Sequence, residues 1–232
     1  MHHSLWLQRW QEKRIGFHLD TINPYLSKYL SKLGQPGNSH VFVPLCGKSH
    51  DLHYLHQQGY QVTGNELSCL AVKDFYTEQQ LIASKSVIFS KNLVQEQVEL
   101  AHWHSPEVDI ICGDFFALNK DQLTEITAVY DRAALVALPL EMRENYVAKL
   151  LEILPEKTSI LLVTLDYDET EKQGPPFSVT EDEVVKLYGA HFDIECLEVS
   201  DIRPEERSER SQNMSYFNEC VFLLNKHSSP RA

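Results

Sequence analysis

A short turn after an apolar run, and an acid at the end of the strand predicted next, are the residues best placed to do chemistry. Residues 41–45 have the pattern of a buried strand and lead into Gly47, and Glu66 ends the next strand, 19 residues after that glycine. Such a glycine lets the backbone approach a ligand closely, and an acid at that distance can accept hydrogen bonds from ribose hydroxyls. Each feature alone is common as a turn or a helix cap. Together, on consecutive strand–helix units, they indicate a nucleotide-type ligand.

The turn does not match the loops that bind phosphate. Gly47-Lys48-Ser49 resembles the end of a P-loop, but that motif needs a glycine five positions before Gly47, where the chain has Phe42. The dinucleotide fingerprint needs three glycines, and this turn has one. We therefore expect a ligand without phosphates, which needs no cradle of backbone amides.

The third predicted strand, residues 108–112, leads into Gly113 and Asp114. An acid at this strand end can reach an adenine amino group while Phe115 covers the ring. The alternative is a capped turn that places Phe115 and Phe116 in the core.

The fourth predicted strand, residues 128–131, ends in the charged pair Asp131-Arg132. A buried ion pair is one interpretation of these charges. Their position at a strand end favours a role in the site, because ligands of open α/β sheets bind beyond the carboxyl ends of the strands.

The elements that must position these residues alternate between strands and helices, which predicts an α/β fold. We expect a doubly wound, mostly parallel sheet of the seven-stranded type that ends in an antiparallel hairpin, because a polar loop, not a helix, joins the last two strands. A second hairpin within residues 88–104 is expected at one edge. We interpret residues 1–232 as a single domain, with residues 1–33 as an N-terminal helical cap broken at Pro24.

Composition excludes several classes of function. The net charge of −12 disfavours nucleic acids and anionic membranes as partners. The chain has no apolar run of about 20 residues and no signal peptide, so we expect a cytoplasmic protein, with a monomer as the default. The five cysteines form no C-x-x-C pair, so neither a zinc site nor a disulfide framework is expected. His50, His53 and His56 turn away from one another on a helix, and no metal site is predicted.

Aromatic residues near the N-terminus could cover the site. Trp6, Trp10 and Phe17 are spaced by four and seven positions, so they share one face if the helix is continuous. Such a face usually packs in a core. It can also exclude water from a cavity and attract a cation.

These motifs together resemble the thiopurine S-methyltransferase family, over nearly the whole chain from Trp6 to Leu224. The segments that carry the resemblance are W-x-x-x-W from Trp6, F-H from Phe17, V-F-V-P-L-C-G-K-S from Val41, G-N-E-L-S from Gly64 and D-R-A-A-L-V-A from Asp131.

The resemblance implies a methyltransferase of the 2.1.1 class that uses S-adenosyl-L-methionine and has a Rossmann-like fold. It implies that Trp10, Leu45, Glu66 and Arg132 contact the cofactor, with Gly47 in the same turn. It also implies places for Trp6 beside the cofactor and for Gly113 and Asp114 near its adenine.

The resemblance also implies that the substrate is contacted by Phe17, Arg132 and an arginine of the late polar loop. Arg207 matches that arginine best because it follows two glutamates, and Arg210 is the alternative. Arg132 and Arg207 would stabilise an anionic thiol, so that no dedicated base is needed. The expected partner is a small thiol. The alternatives are inorganic selenium, tellurium or sulfur anions as substrates, and a non-catalytic binding module with the same fold.

Overall fold

A single sheet organises the molecule, which the computed structural model describes at residues 3–16, 18–92, 94–203 and 213–227. Its strands within those residues are β1 His40–Val43, β2 Gln61–Glu66, β3 Ser84–Lys91, β4 Gln97–His104, β5 Asp109–Cys112, β6 Ala128–Arg132, β7 Ser159–Tyr167, β8 Phe192–Asp201 and β9 Phe217–Lys226. They lie in the order β3-β4-β5-β2-β1-β6-β7-β9-β8.

The central strands β5-β2-β1-β6-β7 are parallel, and β9 runs antiparallel to both β7 and β8. This confirms the predicted α/β sheet that ends in an antiparallel pair. The two strands beyond the seven-stranded pattern are β3 and β4, which form the expected edge hairpin and run longer than predicted.

Six α-helices occur in the described residues, and none is long and apolar enough to cross a membrane. They are α1 His3–Gln11, α2 Pro24–Tyr29, α3 His50–Gln57, α4 Cys69–Glu78, α5 Leu140–Ile153 and α6 Glu181–Tyr188.

Helix α6 is capped by the side chain of Thr180 and tied to α5 by an ion pair. The Glu183 N–H donates to Thr180 Oγ1 (3.3 Å), and the Glu183 carboxylate accepts two hydrogen bonds of 2.7 Å from buried Arg143. The charge therefore ties α6 to α5, because a buried guanidinium requires a partner.

The N-terminal helical cap is broken earlier than at the predicted position, Pro24. Helix α1 ends at Gln11, Lys13 has a left-handed φ of 55°, and Pro24 begins α2 with Asn23 as its N-cap. Trp6 and Trp10 share α1, which ends six residues before position 17. The aromatic stripe is thus shorter than its spacing indicated.

Both faces of the sheet are covered, which explains the continuous apolar run of β7. Neighbouring residues belong to opposite core clusters: Val129 and Leu162 to one, Tyr130 and Leu161 to the other. Side chains alternate along a strand, so each strand contributes to both clusters. Each large side chain buried in this way contributes about 1.5–3 kcal/mol.

One pair of cysteines is bonded, although no disulfide framework was expected. Cys69, the first residue of α4, is bonded to Cys112, the last residue of β5, and their Cα atoms lie 5.6 Å apart. The reason is the parallel register of β2 and β5, which places Glu66 opposite Cys112. Helix α4 begins at Cys69, three residues after Glu66, so Cys69 lies near Cys112. Spacing along the chain does not reveal a pair that meets across strands.

Candidate active site

Four loops meet at the carboxyl ends of adjacent strands. They follow β5, β2, β1 and β6, and together with α1 they surround a cavity of about 740 Å³. This volume is in the range of about 300–1,000 Å³ that is usual for small-molecule sites. All the predicted cofactor residues line it, namely Trp6, Trp10, Leu45, Gly47, Glu66, Gly113, Asp114 and Arg132.

The turn after β1 is held in an uncommon backbone conformation. Leu45 has φ 48° and Gly47 has φ 57°, so both lie in the left-handed region. A Cβ on Gly47 would lie 3.2 Å from the Trp10 ring, which is 5% exposed. The glycine is therefore needed both for its φ and for the close approach of α1.

Glu66 is fixed by the backbone of two loops. Its Oε2 accepts from the Gly47 N–H (2.9 Å) and its Oε1 accepts from the Ser68 N–H (2.7 Å). The side chain is only 5% exposed, and burial raises the pKa of Glu66 to about 7, although the backbone donors of Ser68 and Gly47 oppose the shift. The carboxylate is thus held in place at the cavity wall.

The loop after β5 combines the two alternatives for its residues. Asp114 caps the turn by accepting from the Phe116 N–H (3.0 Å), and Phe115 and Phe116 are buried in the core. Both rings nevertheless line the cavity, as does Asp114. His3 Nε2 lies 3.6 Å from Asp114 Oδ1, so α1 contacts this loop as well.

The two charged residues at the end of β6, Asp131 and Arg132, lie in different surroundings. Asp131 is fully buried and accepts from the Tyr146 hydroxyl (2.7 Å) and the Leu135 N–H (3.2 Å). Burial raises the pKa of Asp131 to about 6, against the hydrogen bond from Tyr146. Arg132 is half-buried and lines the cavity, and Ala133 turns the chain with φ 68°. Asp131 thus shapes the loop that carries Arg132.

A sequence profile described as thiopurine S-methyltransferase matches residues 1–227. The chain belongs to the thiopurine S-methyltransferase family. Membership makes it an enzyme, a methyltransferase with S-adenosylmethionine as its methyl donor.

Two relatives of the methyltransferase, both thiopurine S-methyltransferases, support the same family assignment. It is 47% identical over 194 residues to the thiopurine S-methyltransferase of Marinobacter nauticus, covering 84% of each chain. It is 43% identical over 224 residues to that of Nitrosospira multiformis, covering 97% of this chain and 98% of the relative.

Solved structures show the likeness of fold. A 1,6-didemethyltoxoflavin-N1-methyltransferase from Burkholderia thailandensis, with bound S-adenosylhomocysteine, matches with a TM-score of 0.63 at 15% identity, over 97% of this chain and 87% of that one. A TehB-like methyltransferase from Corynebacterium glutamicum matches with a TM-score of 0.55 at 14% identity, over 97% of this chain and 98% of that one.

The residues around the cavity of the methyltransferase suit S-adenosylmethionine. Glu66 presents a buried carboxylate, which accepts hydrogen bonds and so complements ribose hydroxyls. The missing Cβ of Gly47 lets the Trp10 ring pack closely on the turn at the cavity wall, and an indole face attracts a sulfonium. The turn after β1 has one glycine, whereas loops that bind phosphate have several, and S-adenosylmethionine has no phosphate.

Sequence reasoning missed several cavity residues of the methyltransferase. Asn65 lines the cavity and ties two loops, because its Nδ2 donates to the carbonyls of Ile111 (3.0 Å) and Gly113 (3.2 Å). The sequence signal that could have indicated Asn65 is its position directly before Glu66 in the G-N-E motif. Tyr146 and Lys172 also line the cavity, and no local pattern marks them. The predicted substrate residues Phe17 and Arg207, and the alternative Arg210, lie outside the described residues.

Proposed function

We propose that the methyltransferase methylates the sulfur of aromatic or heterocyclic thiols, such as thiopurines, by direct in-line displacement. The observation that carries this proposal is the single cavity in which the cofactor residues and Arg132 meet an apolar wall. That wall includes Met142, Tyr146, Leu165 and Phe217. A flat, mostly apolar ring fits such a wall, and a cation beside it suits an ionised sulfur.

The proposed cofactor residues act in distinct ways. Glu66 accepts the ribose hydroxyls, Trp10 and Leu45 cover the ligand with apolar surface, and Asp114 and Gly113 bind near the adenine. S-adenosylmethionine supplies a methyl group on a sulfonium, which is an excellent leaving group. The contacts of α1 with Gly47 and Asp114 support the prediction that residues 1–33 cap the cofactor and exclude water.

No residue is needed as a dedicated base in this proposal. A thiolate is already a strong nucleophile, so the protein has mainly to bind it in ionised form and aim it. Arg132 stabilises the anion, and Arg207 is proposed to do so from the late loop. Alignment and desolvation can lower the activation free energy by about 7–11 kcal/mol.

A matched substrate pair tests the sulfur specificity. The enzyme is incubated with S-adenosylmethionine and either 6-mercaptopurine or its oxygen counterpart hypoxanthine, and methylated products are measured by mass spectrometry. We expect S-methyl product from the thiol and none from the oxygen compound. Turnover of selenite or tellurite without turnover of any thiol would favour the inorganic alternative. Cofactor binding without turnover on any of them would favour a binding module.

Arg132 is tested with two substitutions. Arg132→Ala should lower turnover by about 10²–10³-fold and weaken cofactor binding, because a charged group near the reacting atoms is removed. Arg132→Lys keeps the charge without the planar fork and should retain part of the activity. Unchanged kinetics and unchanged calorimetric affinity in Arg132→Ala would remove this residue from the proposal.

A further inference from the structure

Two histidines and an aspartate form a compact cluster outside the active site. His102 and His104 belong to β4 and Asp109 begins β5, and one ligand atom from each lies within 4.8 Å of the others. We propose that this cluster binds one divalent transition-metal ion, with Zn²⁺ as the leading candidate.

The strands position the cluster. Alternation along β4 places His102 and His104 on the same face, and continuing the antiparallel register of Trp103 with Ile110 brings His104 opposite Asp109. Trp103, between the two histidines, faces the other way and stacks on buried Tyr76 with ring centroids 5.7 Å apart. This stacking fixes the strand, so both imidazoles are presented together.

The distances suit a small tetrahedral ion. His104 Nδ1 lies 2.7 Å from Asp109 Oδ1, and His102 Nε2 lies 3.5 Å from Asp109 Oδ2. Zinc bonds of about 2.0–2.2 Å place neighbouring ligand atoms about 3.3 Å apart. Small rotations of the side chains therefore suffice, and the His104 side chain, 62% exposed, is free of core packing that would prevent them.

The donor types select the class of metal. Imidazole nitrogen favours Zn²⁺, Cu²⁺ or Ni²⁺, whereas Mg²⁺ and Ca²⁺ require several hard oxygen ligands. Three protein ligands leave the fourth position to water. The exposure of His104 gives the ion access from solvent.

The site is separate from the cofactor cavity, because none of its three residues lines that cavity. Asp109 begins β5, whereas Cys112 ends it beside the cavity residue Gly113. At 3.3 Å per residue, these two ends of β5 are about 10 Å apart. Register pairs join β4 to β5 only at residues 101–103. An ion held by both strands would fasten the edge hairpin to the sheet beyond the end of that pairing.

Calorimetry with zinc chloride on chelator-treated, full-length protein tests the proposal. We expect one site per chain and a rise in melting temperature on binding. His102→Gln/His104→Gln should weaken binding at least about 100-fold and Asp109→Asn at least about 10-fold, since changes outside the ligand set already cost about 10–100-fold. Circular dichroism without metal confirms that each variant folds.

Two matched controls test side chains elsewhere in the chain that could also bind zinc. His53→Gln/His56→Gln removes a pair of imidazoles whose ring centroids lie 6.4 Å apart, and Cys196→Ser removes an exposed thiol. Both variants should bind zinc as the parent does. With Co²⁺ in place of zinc, the spectrum should lack thiolate charge-transfer bands. Absence of binding, or equal binding by parent and His102→Gln/His104→Gln, would overturn the proposal and leave the methyltransferase function untouched.

Discussion

Replacing Glu66 with glutamine removes the charge of the proposed ribose acceptor and keeps its size. A hydrogen bond to a charged group contributes about 1.5–3 kcal/mol, so cofactor affinity should fall about 10- to 150-fold at 1.4 kcal/mol per factor of ten. Because the pKa of Glu66 is about 7, the full effect is expected at pH 8, where the parent carboxyl is ionised. Titration calorimetry with S-adenosylhomocysteine measures the two affinities.

The pH dependence gives this prediction a second measurement. Parent affinity should weaken as pH falls through 7, because the protonated carboxyl accepts hydroxyl donors poorly, and the glutamine variant should show no such change. Glu152→Gln, an exposed acid of α5, is the control and should behave as the parent. Equal affinities of parent and Glu66→Gln at pH 8 would refute the ribose role.

The same buried acid should also affect the stability of the cofactor-free protein. Its folded pKa of about 7 lies above the ordinary value of 4.5, so its stabilising contribution is present below pH 4.5 and is lost as pH rises through 7. The loss is about 3 kcal/mol at 1.36 kcal/mol per unit. Urea unfolding of parent and Glu66→Gln at pH 5 and pH 8 should show a smaller decline for the variant. If the free energy of unfolding of the variant fell as steeply as that of the parent, the raised pKa of Glu66 would be contradicted.

Two further changes probe the neighbouring loops. Gly47→Ala should lower both the melting temperature and the cofactor affinity, because it adds about 1–2 kcal/mol of backbone strain and a methyl group 3.2 Å from Trp10. Gly37→Ala, at φ 81° with nothing within 4 Å, should show the strain alone, and an equal loss of affinity there would argue against the Trp10 contact. Reduction of Cys69–Cys112, which are separated by 43 residues, should lower the free energy of unfolding by up to about 4 kcal/mol in urea titrations. A protein whose stability is indifferent to reductant would show that the bond contributes nothing.

Local sequence patterns predicted the parts of the site that follow from strand and turn chemistry. Gly47 and Glu66 were found because each stands at the end of a predicted strand, and parallel pairing brings such ends together. The left-handed conformations of Leu45 and Ala133 could not be found in this way. Nothing in a leucine or an alanine favours a positive φ, so these conformations depend on the surrounding tertiary structure.

Long-range contacts account for the wrong predictions. A helical pattern near the N-terminus did not reveal that α1 stops at Gln11, where the chain turns with a left-handed φ at Lys13. The disulfide of Cys69 with Cys112 depends on the register of β2 with β5, which spacing along the chain does not encode. The position of Asp131 at a strand end favoured a role in the site, but the fold buries it against Tyr146.

The order of the strands has a consequence for how the enzyme acquires its binding ability as it folds. The loops that meet at the cavity follow β1, β2, β5 and β6, and the chain between Leu45 and Arg132 must complete several crossovers before they converge. Pairing of distant parallel strands is slow, because loop closure costs entropy before contacts compensate for it. A chain with only part of its central sheet formed has no cofactor site. Binding of S-adenosylhomocysteine should therefore appear late in refolding and report completion of the sheet, not its initiation.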